Sequence, residues 1–130
     1  MKVKFVTPNG LYKEVESKTL TVLSTDGWRC ILDNHMPIVL MLQISRLETV
    51  EDNKKVYYAI AGGMLYFENN LARVLVDSIE QQDEIDIDRA NKSKQRAEER
   101  LASKDSNIDL KRAEVSLKRA INRNNVYSYK

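Results

Sequence analysis

Residues 79–90 read IEQQDEIDIDRA, and within this stretch the chain changes its period. Upstream, from residue 2 to about residue 77, apolar residues recur at every second position and are punctuated by turn formers, as in KVKFV before TPNG and KTLTVLS before TDG. Further strand candidates are WRCIL, PIVLML, ISRLETV, KVYYAIA, MLYFE and LARVLV, separated by DNHMP, EDNKK, GG and NN. About nine short strands in so little chain point to a β-sandwich or barrel. The run MPIVLML is apolar on both parities, which predicts a strand covered on both faces. Downstream of Asp83 the spacing turns helical, and neither Gly nor Pro occurs again. The predicted domains are therefore residues 1–84 and 85–130.

Two helices are expected in the second segment. Asp86 caps the first, whose apolar stripe is Ile87, Ala90, Ala97 and Leu101. Ser106 with Asp109 three residues later forms a capping box for the second, whose stripe is Leu110, Ala113, Leu117, Ala120 and Ile121. The short linker SKDSN (residues 103–107) makes the two antiparallel neighbours. Much of the seam is alanine, and a methyl contributes about 0.8 kcal/mol where a buried Leu or Ile contributes about 1.5–3. The pair is marginal on its own: either a thin appendage docked on the strand domain or a hairpin that opens.

Bulk properties narrow the function. The 130 residues suit one compact domain, or one small core with an appendage. The net charge of +2 hides an asymmetry, −3 over residues 1–85 and +5 over residues 86–130. A basic half of that size suits nucleic acid, an anionic ligand or an acidic protein surface. Nucleic acid is disfavoured, because the only aromatics of residues 86–130 are Tyr127 and Tyr129, at the terminus, and base stacking needs aromatics among the positive charges. No apolar run approaches the ~20 residues of a membrane-spanning helix, and MKVKFVTPNG alternates like a strand instead of forming a signal-peptide core. The single Cys30 forms no internal disulfide, and is expected to be a small buried hydrophobe in a reducing cytoplasm. There is no P-loop, Gly-rich cradle or metal-ligand cluster, and His35 stands alone, as a turn or hydrogen-bonding residue. Nothing in the sequence predicts an enzyme or a metal.

Arginine spacing supplies a positive hypothesis. Arg89 and Arg96 share one helical face at seven apart, and Arg119 and Arg123 share another at four apart. A turn near Ser106 sets Arg89 opposite Arg123 and Ser93 opposite Arg119, so the guanidiniums converge toward the open end. Such like charges repel unless an anion sits among them, and guanidinium forks suit phosphate oxygens. A polyphosphate therefore closes the hairpin, with Glu80 and Asp86 beside it to pair with arginines or to meet a base or ribose. The alternative for each arginine is a solvated helix face.

The whole chain resembles the ε subunits of bacterial F-type ATP synthases. The stretches that carry the resemblance are FVTPNGLY (5–12), DGWRCILDNHMPIV (26–39), AIAGGML (59–65), IDIDRA (85–90) and DLKRAEVSLKRAINR (109–123). One departure is that Cys30 and Asp33 replace the family's usual glycine and Leu-Pro forms. The resemblance implies a β-sandwich followed by an antiparallel helical hairpin, in a non-catalytic subunit on the cytoplasmic face of the membrane. Its implied partners are the γ subunit and the c-ring for the sandwich, with His35 and Met36 in the rotor-contacting loop, and the α and β subunits for the extended hairpin. The family's ATP motif, Ile/Leu-Asp-x-x-Arg-Ala with a later Arg-x-x-x-Arg, is matched by Ile85, Asp86, Arg89 and Ala90, then by Arg119 and Arg123, with Glu80 and Arg96 at the positions of further contacts. ATP is thus implied as a regulatory ligand of the folded hairpin. Lys111, Arg112, Lys118, Arg119 and Arg123 are implied to face acidic segments of β when the hairpin extends and inhibits hydrolysis. The alternative within this class is a purely structural rotor subunit that binds no nucleotide; a nucleic-acid-binding module is a distant third.

Overall fold

The computed structural model describes residues 1–103 and 109–130. The chain forms two compact units, Met1–Gln82 and Asp83–Lys130. The first unit holds β1 (Lys2–Thr7), β2 (Gly10–Glu16), β3 (Thr19–Ser24), β4 (Gly27–Leu32), β5 (Ile38–Glu51), β6 (Lys54–Glu68), β7 (Leu71–Val76) and β8 (Ile79–Gln81). A 3-10 turn (Gln82–Glu84) precedes α1 (Ile87–Ala102) and α2 (Leu110–Ser128).

The strands follow the order β2-β1-β7-β6-β5-β3-β4, with β8 added on β6, and all pairs are antiparallel except β1 with β7. Two strands organise this sheet, β5 of 14 residues and β6 of 15. Their ladder keeps one register throughout, but it is interrupted where Gln43 faces Gly62. On one side of the break the inward residues are Leu40, Leu42, Leu65 and Phe67; on the other they are Ser45, Leu47, Thr49, Tyr58 and Ile60, with only the small Ala59 and Ala61 buried on the other parity, outside the core cluster. The inward parity thus inverts in both strands at once. Since side chains alternate faces with period two, the inversion lets each half of the two strands turn its apolar side to one common core. Phe5 of β1 meets Tyr58 of β6 across that core, with ring centroids 4.8 Å apart.

Glycine makes the break possible. Gly62 and Gly63 have φ of 88° and 150°, and a Cβ on Gly63 would lie 2.1 Å from the Leu75 carbonyl oxygen. The turns at either end of β6 use another device: Asp52, Asn53, Asn69 and Asn70 all have positive φ, as two-residue hairpin loops require.

This architecture corrects several expectations. PIVLML and ISRLETV are one strand, as are KVYYAIA and MLYFE, because the phase break that separates them in sequence is a bend and not a turn. β2 and β8 were not anticipated; β2 has a bulge opposite Phe5 and Val6 that spoils its alternation, and β8 is only three residues long. MPIVLML is not covered on both faces: Leu40 and Leu42 enter the core while Val39 and Met41 point out, half exposed. Cys30 is exposed, on the outward parity of strand β4.

At the open side of the core, Lys13 on β2 turns inward. Its ammonium donates to Tyr58 Oη at 3.1 Å and lies 3.6 Å from the Glu51 carboxylate, to which Tyr58 donates at 2.7 Å. Burial, reinforced by the hydrogen bond to Glu51, pushes the Tyr58 phenol far above its ordinary value of 10.0. A raised folded-state value means this contribution is complete below the unfolded value and is lost as pH rises past it. Stability is therefore expected to fall above about pH 10, and Tyr58→Phe to flatten that slope in denaturant titrations. Gly63→Ala is expected to cost more than about 2 kcal/mol by the same measurement, and more than Gly27→Ala, whose Cβ meets nothing within 4 Å.

Candidate functional site

The second unit is held by small residues. Ala90 and Ala97 of α1 are buried, and so are Ala113 and Ala120 of α2, each pair seven residues apart. The two helices pack against each other, and in an antiparallel pair that spacing sets Ala90 level with Ala120 and Ala97 level with Ala113. Val126 and Ile85 are buried as well, whereas Leu110 and Ile121, expected in the seam, are exposed. The predicted stripe on α2 was thus too wide, because the alanine contact is narrow. Each helix starts on an aspartate: Asp86 Oδ1 accepts from Arg89 N at 3.0 Å, and Asp109 Oδ1 accepts from Arg112 N at 3.1 Å. The cap of α2 is therefore Asp109 itself, and Ser106 lies outside the described residues.

The predicted site residues fall into distinct settings. Arg89 is exposed in the first turn of α1, one residue before buried Ala90. Arg119 and Arg123 are half-buried on α2, flanking buried Ala120. With Ala90 and Ala120 level, these three arginines and Asp86 belong to one end of the pair. Arg96 is exposed and neighbours Ala97, about 10 Å further along α1 at 1.5 Å per residue. Glu80 belongs to the first unit, half-buried on β8 opposite Ala59. Lys111, Arg112 and Lys118 are exposed on α2. His35 Nδ1 donates to the Met36 carbonyl at 2.7 Å and the His35 ring stands edge-on to Phe67, while Met36 is 72% exposed. Among the described residues no group of His, Cys, Asp and Glu is arranged to hold a metal ion.

A second feature escaped the sequence reading. On the outer face of the first unit, Met41, Met64, Leu75, Val6 and Leu11 lie in register across β5, β6, β7, β1 and β2. Five strands at ~4.8 Å make a stripe about 19 Å long. Beside it runs the row Val39, Tyr66, Arg73, Lys4 and Glu14. Met41, Leu75 and Leu11 are exposed and Met64 and Val6 half-buried, so the stripe is a candidate interaction surface. Its signal in the sequence was the double-parity run MPIVLML, whose outward half is the start of this stripe.

Comparison with known proteins identifies the architecture. The family described as the ATP synthase δ/ε-chain β-sandwich domain matches residues 1–82, and the δ/ε-chain long α-helix domain matches residues 83–127. Together they define one class of protein, the δ/ε chains of ATP synthases. The ATP synthase epsilon chain of Lactobacillus helveticus is 40% identical over 136 residues, covering 99% of this chain and 93% of that protein. That of Desulforamulus reducens is 38% identical over 122 residues, covering 94% and 92%. The chain belongs to the ε-chain family of F-type ATP synthases, a family of non-catalytic subunits. The fold recurs in a chain of the Euglena gracilis mitochondrial ATP synthase, with a TM-score of 0.75 at 20% identity, covering 89% of this chain and 74% of that one. It recurs also in a chain of the Tetrahymena thermophila central stalk and c-ring structure, with a TM-score of 0.62 at 13% identity, covering 98% and 96%.

Narrow seams tolerate no added bulk. Ala120→Leu is expected to destabilise the helical unit by about 1–3 kcal/mol through overpacking. Hydrogen exchange should show the loss in Ile87–Ala102 and Leu110–Ser128, with the sandwich amides unchanged.

Proposed function

We propose that this chain is the central-stalk subunit that couples rotor to catalytic head, and that its helical pair is a brake on ATP hydrolysis governed by ATP. The observation that carries this reading is the alanine seam with Arg89, Arg119 and Arg123 at the level of the Asp86 cap. A polyphosphate among those guanidiniums neutralises a repulsion that otherwise opposes closure, and bidentate contacts give it geometric preference. On this reading Glu80, Ile85, Asp86, Ala90 and Arg96 complete the ATP site, the capped first turn of α1 holding Arg89 in place.

When the pair opens, Lys111, Arg112, Lys118, Arg119 and Arg123 form a basic face for the acidic segments of β, with α alongside. Arg119 and Arg123 serve ATP or β and never both, so ATP favours the closed, permissive form and its depletion releases the brake. A tenfold shift between the forms needs only about 1.4 kcal/mol of differential binding. The sandwich docks on γ through the Met41 to Leu11 stripe and presents His35 and Met36 to the c-ring. The subunit then sits peripherally at the cytoplasmic face of the membrane; among the described residues no helix is long and apolar enough to cross one.

Calorimetric titration of the full chain with ATP tests the sensor. Saturable binding is expected, weakened at least about tenfold (1.4 kcal/mol) by Arg89→Ala and by Arg123→Ala. An absence of heat and of thermal stabilisation up to millimolar ATP would leave a purely structural rotor subunit. Docking is tested separately: Met41→Glu with Leu75→Glu is expected to abolish co-purification with γ while the melting temperature stays close to that of the parent, since both positions face solvent in the free chain.

A further inference from the structure

Strand β8 is three residues long, and its ladder with β6 consists of Tyr58 with Gln81, Ala59 with Glu80 and Ile60 with Ile79. So short a ladder is a weak anchor, since strands usually run to about five or six residues. Its last residue, however, is gripped from the other side of the sandwich. Lys13 Nζ donates to Gln81 Oε1 at 2.8 Å, and the Gln81 backbone N–H donates to Tyr12 Oη at 3.3 Å. Both holding residues lie on β2, at the opposite end of the sheet order from β4.

The grip is itself fixed. The same ammonium donates to Tyr58 Oη and faces Glu51, and Thr49 Oγ1 donates to Glu51 Oε2 at 2.5 Å. One cation thereby links β2, β5, β6 and β8. Its partners are largely withdrawn from water, Glu51 being 16% exposed, so a lost partner leaves a poorly solvated group behind. Gln81 is also the residue from which the chain turns, through Gln82–Glu84, toward α1.

We propose that Lys13 is a positioning residue of the regulatory cycle: by pinning Gln81 it fixes the point at which the helical unit leaves the sandwich. Removing the pin lets β8 peel from β6 and adds three residues, about 10 Å of extended chain, to the tether. The regulatory meaning rests on the two-state helical unit proposed above, but the pin operates without nucleotide.

The test uses the full chain with no ATP present. In hydrogen exchange, Lys13→Met is expected to speed exchange of residues 79–81 at least tenfold while residues 44–49 of the central ladder change less than twofold. Lys13→Arg restores protection, and Tyr12→Phe gives a smaller effect of the same sign. Spin labels on native Cys30 and on Ser128→Cys read the tether: in Lys13→Met the longest populated distances are expected to grow by up to about 10 Å. Unchanged exchange at 79–81, or a loss shared equally by the central ladder, would overturn the proposal, the second by making Lys13 a general stabiliser of the sandwich. Local peeling with unchanged label distances would also overturn it. Failure of ATP binding leaves each of these readouts intact.

Discussion

The close approach of Gly63 to the Leu75 carbonyl is the constraint on which the sandwich depends. Only a residue without a Cβ lets β6 come so near to β7 while leaving the ladder at φ values of 88° and 150°. That local freedom inverts the phase of both long strands together, and without the inversion one half of each would turn its apolar residues to water. Everything else in the first unit follows from having two long central strands that serve both layers: the common core of Phe5, Leu47, Tyr58, Leu65 and Phe67, and the outward stripe from Met41 to Leu11.

The same constraint explains how far the sequence could be read. Alternation is legible within each half-strand, so the β class, the change of period after Asp83 and the Asp86 cap were all accessible from the residues. Gly62 and Gly63 look like a turn when only the pattern is visible, which split β6 in two, and the change of parity at Gln43 split β5. The double-parity run MPIVLML had the opposite fate. Apolar residues on both parities announce either two covered faces or one covered face and one awaiting a partner, and a single sequence does not distinguish them. On the helical side, alanine spacing located the narrow seam, but Leu110 and Ile121 satisfy the same periodicity while lying outside it. Periodicity assigns a face, and the width of the contact is decided by how closely the helices approach.

Sheet edges also had to be made safe. Lys13 on β2 and Arg29 on β4 both occupy inward parity, opposite Phe5 and Val22 respectively. An inward-directed cation on an edge strand opposes pairing with a second sheet, which would bury the charge. At Arg29 the device is merely protective. At Lys13 the charge has found partners in Tyr58, Glu51 and Gln81, so a feature that guards the edge also closes the sandwich and holds its last strand.

The two units differ in how their stability is composed, and that difference is what makes the proposed regulation energetically reasonable. The sandwich buries large side chains from seven of its strands around one core, leaving it unmoved by a ligand of ordinary affinity. The helical pair buries four alanines, at about 0.8 kcal/mol per methyl, and only two larger aliphatic side chains, Ile85 and Val126, at about 1.5–3 kcal/mol each, against the conformational entropy of ordering both helices. A ligand present at a hundred times its dissociation constant contributes about 2.7 kcal/mol to the state it binds. A seam of leucines would hold the pair closed whether or not a nucleotide were bound, and a seam without Ile85 and Val126 would leave too little to close. An alanine seam lined by arginines lies between those limits, which is the condition that the proposed regulation by an anion requires.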